Sequence, residues 1–313
     1  MSKKIAFLFP GQNSHFLGMG LDIADRFPKA REIFDQADRI CGKEISRLCA
    51  EGPLEELTLT VNQQPAITTV NLACLAALNE SGLEPSVSAG HSLGEYAALC
   101  AAGVLTVENT LKVVNKRGEL MHRESLSHPG VMAAIMGMNI EEVSKIVGQV
   151  KDKGILAVAN HNTAEQIVIT GEKEALDSAI QLVQEKGAKA IPLKVSGAWH
   201  CDLMAGAVDE FRRYMDDIPF SDPQTEVLFN ATADRENNTE SIKDIMARQL
   251  TSPVRWYDIL VRMLNEGVDT FIEVGPKKVL TGLVKKSIPK GHEARLMNVE
   301  DLKSLDSVLE AIS

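Results

Sequence analysis

The sequence predicts an α/β protein: a large domain on a parallel sheet, interrupted by a smaller inserted unit. Three observations lead there. Short strand-like runs such as Ile5–Phe9 and Thr270–Val274 alternate with longer stretches of helical spacing. The middle of the chain changes rhythm, to the order β-α-β-β-α-β. The chain has 313 residues and 44% apolar composition, enough for two cores or for one large domain with an insert.

Taken in order, Ile5–Phe9 reads as a buried strand ended by Pro10-Gly11. Residues 28–41 space their apolar side chains for a helix. Residues 65–80 read as another, opened by Pro65 at a position that tolerates a missing N–H. Glu84–Ala89 is a short strand leading to Gly90. Leu93–Ala102 is small and apolar, with Gly103 as its cap. Val107–Glu124 continues as a helix. Strands at Val131–Met136, Ile155–Ala159, Gln166–Thr170 and Ala188–Val195 then enclose helices at 140–151 and 173–187. That order is the ferredoxin-like split motif. The large fold resumes with a strand near 225–230, helices at 241–250 and 254–266, and the strand Thr270–Val274 before Gly275-Pro276. The expected division is 1–126 with 197–313 as the large domain and 127–196 as the insert.

Bulk properties exclude several function classes. No window approaches the ~18 apolar residues of a spanning helix. The apolar run after Lys3-Lys4 is too short for a signal peptide and is broken by Pro10-Gly11. The formal charge of −10 argues against nucleic acid as the main partner, since phosphate binding needs a basic face. The five cysteines (Cys41, Cys49, Cys74, Cys100, Cys201) show no CxxC pair and no metal-ligand spacing. Free thiols in the cytoplasm are expected, without structural zinc.

The chemistry centres on Gly90-His91-Ser92-Leu93-Gly94, a G-x-S-x-G frame between a strand and a helix. Such a turn pushes the serine Oγ out of the sheet edge and makes an α/β-hydrolase-like large domain the expectation. The helix after Ser92 aims free N–H groups and its positive dipole end at the same place, so the N–H of Leu93 is a candidate oxyanion donor. On these residues alone, a tight βα turn without chemistry is the competing reading. A serine nucleophile needs a base. His91 is adjacent, but neighbouring side chains on a sharp turn diverge. His200, after Gly197-Ala198-Trp199 in an irregular stretch, is the better candidate. Arg117 lies on an amphipathic helix. It is either a solvated helix residue or a buried fork for a carboxylate. Gly118 beside it costs helix stability and marks a close approach.

Collinear motifs then identify a family. They are FPGQ at 9–12, QPA at 64–66, GHSLGE at 90–95, RGELM at 117–121, N-x-N at 160–162, GAWH at 197–200, QLTSPVRW at 249–256 and EVGP at 273–276. The chain closely resembles the malonyl-CoA:acyl-carrier-protein transacylases of bacterial fatty acid synthesis and the acyltransferases of polyketide synthases. The resemblance implies a ping-pong transfer of malonyl from malonyl-CoA to the phosphopantetheine thiol of acyl carrier protein. Ser92 would be the nucleophile and His200 the base, oriented by a backbone carbonyl rather than an acid. It further implies an oxyanion hole from the N–H groups of Gln12 and Leu93, and Arg117 paired with the malonyl carboxylate. Gln249, Gln64, Met121, Asn160, Asn162, Trp199 and His91 would flank the substrate. No cofactor or metal is implied. The partners implied are an acidic, transiently bound carrier protein and a coenzyme A thioester, acting on a monomer with no membrane or nucleic acid. A free-standing polyketide acyltransferase, an acyl hydrolase on carrier thioesters and a non-enzymatic carrier-binding module are the competing readings.

The chain departs from the family pattern in places. FPGQNSH stands where relatives usually have FPGQGSQ, so Asn13 replaces a glycine and His15 a glutamine. Asparagine tolerates left-handed backbone. Trp199 stands where many relatives have phenylalanine or serine. Its bulk, with Leu93, favours malonyl over methylmalonyl. Lys277, Lys278, Lys285 and Lys286, with Lys189 and Lys194, are candidate docking residues for an acidic partner.

Overall fold

The computed structural model describes residues 4–312; the extreme ends of the expected large domain, 1–3 and 313, lie outside the described residues. In chain order, β1 (Ile5–Phe9) is followed by α1 (Leu21–Arg26), α2 (Pro28–Cys41), α3 (Ile45–Ala50), α4 (Leu54–Thr58) and α5 (Thr60–Glu80). β2 (Val87–Gly90) passes through a one-turn 3₁₀ helix (Ser92–Gly94) into α6 (Glu95–Ala101), and then comes α7 (Val107–Ser127). The middle section runs β3 (Val131–Met136), α8 (Ile140–Gln149), β4 (Leu156–Thr163), β5 (Gln166–Gly171), α9 (Lys173–Glu185) and β6 (Lys189–Pro192). The chain returns through α10 (Ala205–Asp216), β7 (Glu226–Val227), α11 (Thr239–Arg248), α12 (Trp256–Asn265), β8 (Thr270–Val274), α13 (Val279–Ser287), β9 (Arg295–Val299) and α14 (Leu302–Ile312).

Two sheets result. The larger has the order β7-β2-β1-β8-β9, with all neighbours parallel. β1 and β8 are buried at every position; β1 accordingly is an unbroken apolar run, whereas β8 carries the buried Thr270 and Glu273, the latter bonded to Leu280 N and Thr281 N. The smaller has the order β4-β5-β3-β6, with all neighbours antiparallel, and a separate apolar core under α8 and α9 that includes Ile135, Ile146, Ile169 and Val183.

Register explains where a site can form. Phe9 pairs with Gly90, and Leu8 pairs with Glu273. The FPGQ loop, the serine turn and the EVGP loop therefore leave the sheet side by side, at the carboxyl ends of parallel strands where open α/β sheets bind ligands. The smaller sheet reaches this edge through one parallel bridge, Asn160 to Val254. Its backbone bonds run from His161 N to Val254 O at 2.9 Å and from Val254 N to Ala159 O at 2.8 Å.

Three expectations need correction. Pro65 does not open its helix: α5 starts at Thr60 and Pro65 lies inside it. The carbonyl its missing N–H leaves free is that of Val61, and the Lys43 ammonium bonds it at 2.8 Å. The strand near 225–230 shrinks to Glu226–Val227, because the Phe229 N–H turns to Asp234 O and the Asn230 N–H turns to a Glu95 carboxylate oxygen. The helix expected from Leu93 starts at Glu95, after the 3₁₀ turn. Asn13 does take the left-handed conformation, with φ 71°.

Candidate active site

The turn after β2 is built by glycines. A Cβ on Gly94 would fall 1.9 Å from Phe9 O, and one on Gly90 would fall 1.9 Å from Gly94 C. Only hydrogen fits at either position. The compression drives Ser92 into the left-handed region, φ 52°. The FPGQ loop packs on the same turn: a Cβ on Gly11 would lie 2.3 Å from His91 O and 3.6 Å from Leu93 N.

Ser92 Oγ lies 2.7 Å from His200 Nε2. The other ring nitrogen, Nδ1, lies 2.9 Å from Gln249 O and 3.0 Å from Ser252 O. Both of these are acceptors, so Nδ1 carries the proton and Nε2 presents a lone pair to the serine hydroxyl. His200 is buried, also left-handed at φ 64°. Burial, and then the Arg117 charge, push its pKa down to about 3, while its bonds to the Gln249 and Ser252 carbonyls pull upward. It is a neutral base across the physiological range.

Arg117 is fully buried. Its Nη1 donates to Gln64 Oε1 at 2.9 Å, and its Nη2 donates to Gln249 Oε1 at 2.9 Å and to Ser92 Oγ at 3.3 Å. Its Cζ sits 5.5 Å from the Tyr96 ring centroid. Among the described residues it makes no ion pair, and its buried Nε has no hydrogen-bond partner. Burial pulls its pKa down; the neighbouring Tyr96 and Glu95 act in the opposite direction. A buried cation without a contacting anion is costly until an anion arrives.

The remaining residues fall into two groups. Gln64 Nε2 reaches Met121 Sδ and Gln12 Oε1, both at 3.3 Å, which extends the Arg117 network to the FPGQ loop. Gln12 and Trp199 share a cavity of about 320 Å³ with Lys194 and Ser196. On the other side, His91 Nε2 bonds Asn162 Oδ1 at 2.9 Å, and the His91 ring packs edge-on to Trp256. His91 therefore faces away from Ser92 Oγ. His91, Asn162 and Gln12 border a second cavity of about 120 Å³ with Val279 and Leu283. Asn160 stands one step away, in the bridge to Val254. Gly118 meets α5, where an added Cβ would lie 3.3 Å from Thr60 O.

Sequence reasoning missed Asn230 and gave Glu95 no role. Asn230 Oδ1 accepts from Ser92 N at 2.6 Å, and its Nδ2 donates to Gly90 O at 2.7 Å. Nothing local in Phe229-Asn230-Ala231 marks this. Glu95 is buried, and burial lifts its pKa to about 7 against the pull of Gln249 and Asn230. The GHSLGE motif contained that signal, because a helix-start acid in an otherwise apolar stretch has to be partnered. Glu273, by contrast, caps α13 through Leu280 N and Thr281 N and is structural. Among the described residues no group of three or more His, Cys, Asp or Glu side chains could hold a metal ion, and no helix is long and apolar enough to cross a membrane.

Comparison with known proteins shows the family. A family model described as "Acyl transferase domain" matches residues 6–308. The chain is 45% identical over 311 residues to the malonyl CoA-acyl carrier protein transacylase of Bacillus subtilis (strain 168), spanning 99% of this chain and 97% of that protein. It is 37% identical over 287 residues to the protein of that name from Escherichia coli (strain K12), spanning 91% and 93%. An acyl carrier protein S-malonyltransferase from Vibrio cholerae superposes with a TM-score of 0.93 at 38% identity, covering 98% of this chain and 100% of that one. A malonyl-transacylase solved in complex with its type II PKS acyl-carrier protein superposes with a TM-score of 0.94 at 37% identity, covering 99% and 100%. The serine–histidine pair, the buried cation beside it and these likenesses lead to one conclusion: the chain belongs to the acyl transferase family, among the malonyl CoA-acyl carrier protein transacylases.

Proposed function

We propose that the protein transfers a malonyl group from malonyl-CoA to the phosphopantetheine thiol of acyl carrier protein through a malonyl ester on Ser92. The observation that carries this reading is the position of Arg117 Nη2, 3.3 Å from the same Oγ that His200 Nε2 approaches at 2.7 Å. A site for neutral acyl chains has no use for a buried guanidinium there.

In the first half-reaction His200 Nε2 takes the Ser92 proton as Oγ attacks the thioester carbonyl carbon. The N–H groups of Leu93 and Gln12 receive the oxyanion; the contact of the FPGQ loop with the serine turn supports that assignment. The carbon–sulfur bond breaks, the CoA thiolate recovers the proton from His200, and CoA leaves. In the second half the carrier's thiol gives its proton to His200 and its sulfur attacks the ester. Ser92 Oγ leaves and takes the proton back. Arg117 anchors the malonyl carboxylate throughout, which keeps the ester out of reach of water. Gln64 and Gln249 hold the guanidinium in place.

Three finer readings accompany this one. The small unit, 127–196, is an insert of ferredoxin-like type; its strand order and separate core support that. The large domain, 1–126 with 197–313, is hydrolase-like in its serine turn. Five free cysteines, four of them buried, support a cytoplasmic setting. The test of function is mass spectrometry after mixing with malonyl-CoA. A malonyl adduct on Ser92, discharged only by holo acyl carrier protein, is expected. Steady CoA release without carrier protein would make it a hydrolase, and a folded protein with no adduct would make it a binding module.

A further inference from the structure

Glu95 takes no part in the proton transfers, yet it is fully buried at the first position of α6. Both of its carboxylate oxygens accept. Oε1 takes the Asn230 backbone N–H at 3.0 Å, and Oε2 takes Gln249 Nε2 at 2.5 Å. The same two residues hold both ends of the Ser92 backbone. Asn230 Oδ1 accepts from Ser92 N at 2.6 Å, and Gln249 Nε2 donates to Ser92 O at 2.9 Å. Ser92 is a non-glycine residue at φ 52°, a conformation that persists only where the surroundings over-determine it.

We propose that Glu95 is the positioning residue of the nucleophile: by tying Asn230 to Gln249 it locks the clasp that holds Ser92 left-handed. Through the Gln249 carbonyl the same tie steadies His200. The inference rests on Ser92 being the acylated residue.

The geometry requires an acid at this position. Asn230 offers a backbone N–H that cannot turn over, and Gln249 offers an amide NH₂. A glutamine at 95 would bring one acceptor and one donor. With its oxygen kept on Asn230 N, its NH₂ faces the NH₂ of Gln249. Gln249 must then turn, which sets its oxygen against Ser92 O and its NH₂ against the Arg117 guanidinium. Both are like-with-like contacts among buried groups, where an unmade hydrogen bond costs most. The loss falls on the serine whatever acyl group arrives, whereas the carboxylate that Arg117 receives comes with malonyl and not with acetyl.

The experiment is rapid-quench acylation of Ser92 by malonyl-CoA and by acetyl-CoA, with fluorophosphonate labelling of Ser92, released as fluoride, as a substrate-independent readout. In Glu95→Gln the acylation rate constant is expected to fall about 10- to 100-fold for both thioesters, the scale on which lost alignment acts. Half-saturation for acetyl-CoA, which brings no carboxylate to Arg117, should stay nearly unchanged, and labelling should fall in parallel. Asn230→Ser, which keeps the backbone N–H to Glu95 but loses the grip on Ser92 N, should slow both reactions too. The double variant should be no slower than the worse single. Wild-type acylation and labelling in Glu95→Gln would overturn the proposal, as would losses that multiply independently. If Glu95→Gln does not fold, Asn230→Ser acylating at the wild-type rate overturns it alone. If the wild-type protein forms no malonyl ester, the proposed function fails, and the labelling ratio between variant and wild type still decides the role of Glu95.

Discussion

Ser92 and His200 share an uncommon feature: both are non-glycine residues with positive φ, 52° and 64°. Their 2.7 Å contact is set by two bent backbones rather than by flexible side chains, which is how a site keeps alignment without a third acid. The His200 pKa of about 3 gives the pH dependence its sign. The folded value lies below the unfolded 6.5, so between the two the unfolded chain binds a proton that the folded one does not. Stability is therefore lost as pH falls through that window, while His200 stays neutral above it. With acetyl-CoA, whose acyl group is uncharged, kcat/KM for acylation should hold on the acid side well below pH 6.5. In Arg117→Ala the acid limb should move upward, since the Arg117 charge is the second cause of the shift; an unmoved limb would contradict this. The same variant should lose malonyl preference. Two charge-assisted hydrogen bonds of roughly 1.5–3 kcal/mol each predict a drop of about 100-fold or more in kcat/KM for malonyl-CoA, with acetyl-CoA unchanged or improved. Acyl-CoA competition measures it.

At the scale of elements, the site hangs on how α5 and α7 meet the serine turn. Gly118 lets α7 close on α5, with Thr60 O 3.3 Å from where a Cβ would stand, and this brings Gln64 and Arg117 into contact. The interior proline of α5 is tolerated because Lys43 Nζ caps Val61 O at 2.8 Å and Asn115 Oδ1 on α7 at 3.1 Å. Burial lowers the Lys43 pKa, and the nearby Glu119 carboxylate opposes that shift. Lys43→Met leaves the Val61 carbonyl without its donor. It should cost about 1–3 kcal/mol of stability, seen as a lower Tm, with acylation kinetics preserved in the folded fraction; an unchanged Tm would reject this account. The position of Pro65 was misread because a proline at a helix start and one rescued by a distant lysine look alike in a local window.

At the scale of the whole molecule, the six candidate docking lysines separate. Lys277 Nζ bonds Asn13 O at 3.0 Å and braces the FPGQ loop, and Lys278 lies 3.8 Å from Glu300. Lys194 borders the cavity that contains Gln12 and Trp199, and Lys189 is exposed at the start of edge strand β6. Lys189→Glu with Lys194→Glu should raise KM for the acidic carrier protein about two- to fivefold, an effect that shrinks with added salt. An unchanged KM at low salt would rule this face out. Most of the architecture was legible: apolar runs marked the buried strands, and the β-α-β-β-α-β rhythm marked the smaller sheet. The edge strand β9 and the helices α1, α3, α4, α10, α13 and α14 were not read from the sequence: α1, α3 and α4 are too short to repeat an apolar period, while α10 and α14 do carry one. Among site residues, Ser92, His200 and Arg117 stood out because their side-chain chemistry and motif spacing are local properties of the sequence. Asn230 and Glu95, and the Gln249 and Ser252 carbonyls that orient His200, did not, because their roles belong to bonds across 49 to 154 residues of chain. The sequence by itself determined which groups could react and which backbone positions had to be glycine. Only the tertiary structure decided which way those groups face, because left-handed turns, tautomers and buried hydrogen-bond polarity are set by partners that come together when the chain folds.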